Sequence, residues 1–351
     1  MIPMNIQFII PGSIDQPTGG YRYDRAIVEG LRKIGHAVSI INLFGDFPLP
    51  DEATKQRALE KVAALPKADI VVVDGLAGGS FPTLLEALSK RGKMVALIHH
   101  PLCLENGLDE TVQSNLRRLE GEGLAHVDGV IAVSSDTALS LSRLFEFDQD
   151  KIKIVSPAVK PSVLASGSGS DVTNLLSVGS AIVRKGHDTL IEALSGLKEL
   201  SWKLEIVGPT HFDEIYYSKL EAQIVDYGLR DRISFRGILD EDELELAYQQ
   251  SDLFVLASRH EGYGMVFAEA ITRGIPVIAL HVGAVPQTVP QGCGILVEPD
   301  NVEALREALH RAIIDDDVKQ LLKDNAIASR NVFPSWDEAA SRFSNCLKEF
   351  S

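Results

Sequence analysis

Short runs rich in β-branched residues recur along the 351-residue chain, separated by longer stretches whose apolar positions fall three and four apart. In the first half the runs are Asn5–Ile10, Ala37–Leu43, Asp69–Asp74, Met94–His99, Gly129–Val133 and Ile152–Val155. The helical stretches between them are Tyr21–Ile34, Glu52–Ala64, Phe81–Lys90, Thr111–Ala125 and Asp136–Leu144. Runs such as Asp69-Ile-Val-Val-Val are apolar on both faces, which suits strands covered on both sides in a parallel sheet. Alternation of this kind predicts a doubly wound α/β domain.

The pattern breaks at Pro161-Ser-Val-Leu-Ala-Ser-Gly-Ser-Gly-Ser170, which is small and polar and reads as a flexible linker. It then restarts, with strands expected at Asn174–Val178, Lys203–Val207, Ile233–Phe235, Leu253–Ala257, Val277–Leu280 and Gly294–Val297. A last helix is expected from about Trp336 to Phe350. The expected organisation is a Rossmann-like domain over residues 1–165, a second over 166–335 and a C-terminal helix over 336–351. Two such domains of similar size normally hold their ligand in the cleft they form together.

Composition narrows the class. The net charge of −15 is carried mostly by the second half, −12 against −3 for residues 1–165. No basic footprint for nucleic acid is present, and peripheral contact with a membrane is open only to the nearly neutral first half. Cys103, Cys293 and Cys346 show no paired spacing, which argues against a disulfide framework or a cysteine zinc site and fits a reducing cytoplasm. No basic stretch precedes an apolar run near Met1, so no secretory signal is expected, and no apolar stretch approaches the roughly 20 residues of a membrane span.

Four segments carry candidate chemistry, each following an expected strand and so lying at the ligand-facing edge of its sheet. The first is Gly12-Ser-Ile-Asp-Gln-Pro-Thr-Gly-Gly-Tyr21, where Gly19 and Gly20 allow backbone amides to approach an anion or a sugar; a plain turn of small residues is the alternative. The second is Ile98-His99-His100-Pro101, where a neutral imidazole gives or takes hydrogen bonds to sugar hydroxyls, unless the histidines are merely structural. The third is Ser177-Val-Gly179-Ser-Ala-Ile-Val-Arg184-Lys185-Gly186-His187. A guanidinium and an ammonium side by side suit a diphosphate, though a solvated pair closing a loop has the same sequence.

The fourth and most specific is Ser258-Arg-His-Glu261-Gly262-Tyr263-Gly264-Met265-Val266-Phe-Ala-Glu269. Glycines directly after a buried strand permit close approach, and the amides opening the next helix, near Met265 and Val266, favour a phosphate. Glu261 accepts hydrogen bonds from sugar hydroxyls, and Glu269, about one turn into the helix, accepts two from a ribose diol. Neither half carries the G-x-G-x-x-G of a dinucleotide site, and there is no G-x-S-x-G, H-E-x-x-H or Walker loop. Three D-x-D triplets begin at Asp148, Asp240 and Asp315, each in a polar segment; Asp240 looks like a helix cap, and no metal role is expected of any of them.

Together these segments resemble the retaining glycosyltransferases of family 4, built from two Rossmann-like domains in the GT-B arrangement. Glu261 and Glu269 match the two glutamates of that family's E-x7-E motif, which implies contact of the first with the donor sugar and of the second with the ribose. Arg184 and Lys185 match the pair that holds the donor diphosphate, and Gly19 and Gly20 match the glycine pair of the first loop. His99 is similar to the histidine that ends the fourth strand beside the transferred sugar, and a slip of one residue would select His100 instead. Gly283-Ala-Val-Pro286-Gln287 resembles a Gly-Gly-x-Pro-Glu segment, with Gln287 replacing its glutamate. Phe333-Pro-Ser-Trp336 is similar to the start of the family's final helix, which commonly packs on the N-terminal domain.

The resemblance implies a nucleotide-diphosphate sugar as donor and a hydroxyl on a glycan, lipid or small metabolite as acceptor, with no cofactor and no metal. Arg184, Lys185 and the amides near Gly264 would stabilise the leaving diphosphate, and domain closure would exclude water. The competing expectations are a nucleotide-sugar epimerase of the same architecture and, more remotely, a dinucleotide-dependent oxidoreductase.

Overall fold

The computed structural model describes residues 2–350. The chain forms two compact units, one taking in the chain up to Ala158 together with the segment from Pro334 onward, the other running from Val159 to Phe333.

In the first unit the chain alternates β1 (Asn5–Pro11), α1 (Gly19–Ile34), β2 (Ala37–Leu43), α2 (Glu52–Ala63), β3 (Ile70–Asp74), α3 (Gly75–Gly78), α4 (Pro82–Ser89), β4 (Lys93–Ile98), α5 (Glu110–Leu124), β5 (Gly129–Ala132), α6 (Ser135–Phe145) and β6 (Ile152–Ile154). The six strands form one sheet in the order β2-β1-β3-β4-β5-β6, every pairing parallel. β3 is buried at every position, as a run apolar on both faces requires when helices cover both sides.

The second unit repeats the architecture with β7 (Thr173–Val178), α7 (His187–Ser195), β8 (Trp202–Val207), α8 (Glu214–Asp226), β9 (Ile233–Gly237), α9 (Glu241–Gln249), β10 (Leu253–Leu256), α10 (Met265–Thr272), β11 (Val277–Leu280), α11 (Val285–Thr288), β12 (Gly294–Val297), α12 (Val302–Ile314) and α13 (Asp316–Ser329). Its parallel sheet has the order β12-β11-β10-β7-β8-β9. Both units are therefore doubly wound, and each has a topological switch point, beside β1 and β3 in the first and beside β7 and β10 in the second.

The last helix, α14 (Trp336–Phe350), belongs to the first unit. Its buried face, Ala339, Ala340, Phe343, Ser344 and Leu347, packs along α1, and the approach is close enough that a Cβ on Gly30 would stand 2.3 Å from that of Ala340. The ring of Trp336 meets Tyr23 edge-on at 5.9 Å, and His36 Nε2 lies 2.7 Å from Ser344 Oγ.

Pro161–Ser170, expected as a flexible linker, belongs to the second unit instead. The Ala165 amide donates to the Arg273 carbonyl at 2.8 Å, that of Ser166 to Gln249 at 3.0 Å and that of Ser168 to the Asp252 carboxylate at 3.1 Å. Small polar composition there marks irregular backbone that finds its partners along the unit's surface, not a free tether. No helix among the described residues is long and apolar enough to cross a membrane.

Candidate functional site

At the switch point of the second unit, the loops after β7 and β10 bring together three of the expected residues. Arg184 and Lys185 lie in a short 3₁₀ turn, Val183–Lys185, and the Lys185 side chain lies over Gly179, where an added Cβ would stand 3.3 Å from its Cδ. Lys185 Nζ donates to Oε1 of Glu261 at 2.6 Å, and the Ser258 hydroxyl donates to the same oxygen at 2.6 Å. Arg184 NH1 stands 3.8 Å from Oε2 of Glu261 and donates to the His260 carbonyl at 3.3 Å.

Glu261 is only 5% exposed. Burial opposes its charge, but the nearby Lys185 and Arg184 cations outweigh that and hold its pKa down to about 2, so the carboxylate is ionised at neutral pH. The loop is braced from both sides. Arg259 grips the Asp188 carboxylate with two bonds, 3.0 and 2.8 Å, and its amide donates to the Arg184 carbonyl at 2.7 Å. From the other side, the Ala284 amide donates to the Glu261 carbonyl at 2.9 Å. Gly283 makes that approach possible, with φ of 51° and a virtual Cβ 2.4 Å from the same carbonyl oxygen. Gln287 sits on α11 just beyond.

α10 opens at Met265, with Gly264 preceding it and no side chain capping its first amides. Those amides, with Arg184 and Lys185, make an anion-favouring end to the loop. Gly262 and Tyr263 complete it; burial pushes the Tyr263 phenol up to about 12 and keeps it protonated. Val266 follows Met265 in the first turn of α10.

Glu269 lies deeper in α10 and makes its own cluster. Tyr248, 1% exposed, donates its hydroxyl to Oε2 of Glu269 at 2.9 Å. Arg273 stacks over the Tyr248 ring at 4.4 Å, donates to the Glu269 carbonyl at 2.7 Å and pairs with Glu245. The tyrosine hydroxyl thereby fixes the orientation of this carboxylate.

In the first unit, Gly19 and Gly20 are not loop residues as expected; they form the first turn of α1, which Thr18 precedes without a side-chain cap. A Cβ on Gly20 would lie 3.4 Å from Cδ2 of His99, in ordinary contact, so the start of α1 stands beside the histidine ring. β4 ends at Ile98, and His99 is the first residue beyond it. Its Nε2 stands 3.1 Å from Oδ1 of Asp24 on α1 and 3.3 Å from Oδ2 of Asp74 at the end of β3. Burial disfavours a charge on His99, but the two carboxylates outweigh it and raise its pKa far above the ordinary 6.5. Burial and the neighbouring Asp74 raise that of Asp24 in turn. The two carboxylates therefore favour the protonated ring at His99 over the neutral imidazole expected from sequence. His100 turns away to pair with Glu105 at 3.0 Å.

The expected second-unit residues Arg184, Lys185 and Glu261 thus converge, while Glu269 stands in a separate hydrogen-bonded group. Asp24, Asp74, Ser258 and Tyr248 escaped the sequence reading; Asp74 alone had a visible signal, a carboxylate closing an otherwise apolar strand. All three D-x-D triplets supply helix or turn caps: Asp148 accepts from the Asp150 amide at 3.0 Å, Asp240 from Glu243 at 2.9 Å and Asp315 from Val318 at 3.1 Å.

Residues 17–163 match the family model described as Glycosyltransferase Family 4, and residues 165–329 match Glycosyl transferases group 1. Among curated proteins, the D-inositol 3-phosphate glycosyltransferase of Xylanimonas cellulosilytica is 29% identical over 63% of this chain and 57% of its own length. A GDP-mannose-dependent alpha-(1-6)-phosphatidylinositol monomannoside mannosyltransferase of Mycobacterium tuberculosis is 33% identical over 46% of the chain and 42% of its own. The chain spans less than two thirds of the length of such relatives. Among solved structures, the sucrose-phosphate synthase of Thermosynechococcus elongatus superposes with a TM-score of 0.84 at 21% identity, covering 98% of both chains. HepE of Anabaena, solved with UDP and glucose, gives 0.78 at 18% identity over 99% of this chain and 100% of its own. At those identities the likeness shows the fold, a pair of Rossmann-like domains of the GT-B type.

Proposed function

The chain belongs to the glycosyltransferases of family 4, and from that premise we propose that it moves a sugar from a nucleotide-diphosphate sugar to an acceptor hydroxyl, with retained anomeric configuration and without a metal ion. The observation that carries this reading is the buried Lys185–Glu261–Arg184 cluster beside the uncapped start of α10.

The reaction breaks the bond between the anomeric carbon and the diphosphate oxygen, and the bonding electron pair leaves with the diphosphate. The acceptor oxygen bonds to the anomeric carbon on the same face, and its proton passes to the leaving phosphate oxygen. Arg184, Lys185 and the first amides of α10 meet the charge that develops on the diphosphate, which supplies the neutralisation a metal ion gives elsewhere. Glu261, ionised and fixed by two hydrogen bonds and the Arg184 cation, accepts hydrogen bonds from hydroxyls of the transferred sugar. Glu269, oriented by Tyr248, takes the ribose diol.

Gly19, Gly20 and His99 are the first unit's own candidates for substrate contact, and the acceptor is a glycan, a lipid or a small metabolite. The three unpaired cysteines suit a cytoplasmic setting for this work. The test is incubation with UDP-, GDP- and ADP-hexoses and a panel of acceptors in EDTA, with products read by mass spectrometry and their anomeric protons by NMR. An α-linked product from an α-linked donor is expected. Inversion, or a requirement for a divalent ion, contradicts the reading, and donor epimerised without transfer replaces it with an epimerase.

A further inference from the structure

We propose that Asp24 and Asp74 are positioning residues that hold His99 as a fixed donor, so that the ring offers substrate an N–H at Nδ1 and cannot act as a base. The role of His99 at substrate rests on the transferase reading above; the state of its ring does not.

The geometry comes from three elements. α1 brings Asp24, 1% exposed, β3 ends on Asp74, 4% exposed, and β4 delivers His99 between them. Both carboxylates address the same ring nitrogen, Nε2, at 3.1 and 3.3 Å. Gly20 lies beside the Cδ2 edge of the ring, where an added Cβ would make contact at 3.4 Å, and Tyr23 meets the ring edge-on at 5.4 Å. The side chain keeps 23% exposure, and both carboxylates address Nε2 and not Nδ1.

Two buried acceptors aimed at one nitrogen fix which nitrogen is protonated, and their negative charge favours the cation over the neutral ring. Tyr21 and Tyr23, the other titratable groups that α1 brings here, have pKa values raised by burial and stay uncharged. Asp74 is itself fixed, because its Oδ1 caps α3 by accepting from the Leu76 amide at 2.7 Å. A cationic ring has no lone pair at Nδ1 and so cannot take the acceptor's proton. That leaves the departing phosphate as the proton acceptor, as same-face transfer requires.

The experiment is an NMR titration of the histidine rings in the full chain, with His99 assigned by comparison with His99→Gln. In the wild type, His99 is expected to keep the signature of the doubly protonated ring throughout about pH 5.5–8.5. In Asp24→Asn, and separately in Asp74→Asn, which retains the cap to α3, its midpoint is expected to move down into that window. Turnover of these variants is then expected to fall about tenfold as pH rises through the new midpoint, where the wild type stays flat. A wild-type ring that titrates near 6.5, a ring still charged in both variants, or a ring that exchanges its proton for stoichiometric Zn²⁺ overturns the proposal. The titration needs no turnover, so an inactive chain counts against the transferase reading and not against this one.

Discussion

Replacing Lys185 with alanine takes the nearest cation from a buried carboxylate. Nζ lies 2.6 Å from Oε1 of Glu261, and the two side chains are 13% and 6% exposed. At an effective dielectric of about 20, charges at that separation attract by about 6 kcal/mol, and the cost of taking both out of water offsets most of it. Deleting one partner removes the attraction and leaves the cost, which destabilises by about 3–5 kcal/mol. Arg184 at 3.8 Å and the Ser258 hydroxyl at 2.6 Å remain to hold Glu261. The expected loss is therefore at the low end, about 3 kcal/mol, and a melting point lower by about 6–12 °C for a unit of this size.

The pH dependence has a definite sign. In the wild type, Glu261 has its pKa lowered from 4.5 to about 2, so its charge stabilises the fold fully above pH 4.5 and that contribution is lost as pH falls toward 2. Without Lys185, burial is no longer outweighed and the folded pKa rises. The gap between variant and wild type is then widest at neutral pH and narrows on acidification, and Lys185→Ala/Glu261→Gln regains part of the stability. Urea unfolding of the three proteins at several pH values measures this. Equal midpoints at neutral pH, or a gap that widens toward pH 4, refutes the reasoning.

Tyr248→Phe removes the hydroxyl that orients Glu269 and is expected to weaken nucleoside diphosphate binding about 3- to 10-fold by calorimetry, an effect that disappears with a ribose-deoxy analogue. Gly283→Ala forces a side chain onto a backbone at φ of 51° and against the Glu261 carbonyl, so activity is expected to fall more than stability, read by paired turnover and melting measurements. Gly30→Ala pushes α14 away from α1 and is expected to cost about 1–3 kcal/mol in unfolding; Ala340→Gly in the same chain restores it.

Much of the fold is visible in periodicity alone. Ala37–Leu43, Val277–Leu280, Gly294–Val297 and Trp336–Phe350 match elements at both ends, because short β-branched runs and a 3.6-residue apolar stripe have few other folded solutions. The start of α1 is less legible, since two glycines opening a helix have the composition of a loop. Around Glu261, order along the chain sufficed: strand, loop and helix bring Glu261 and Lys185 to one switch point from 76 residues apart. The two carboxylates around His99 are not legible, because Asp24 lies 75 residues away and inside an amphipathic helix where a lone aspartate carries no pattern. Likewise, Tyr248 reads as one more aromatic position in a helix, and only the tertiary fold points its hydroxyl at Glu269.

On the proposed function, Arg184, Lys185 and the start of α10 bind a nucleoside diphosphate without a metal. Titration calorimetry of the wild type with UDP, GDP and ADP, in EDTA and then in Mg²⁺, tests it directly. One nucleotide is expected to bind with the same affinity in both buffers, and at least about tenfold more weakly to Lys185→Ala. Binding that appears only with Mg²⁺, or that Lys185→Ala leaves intact, contradicts it.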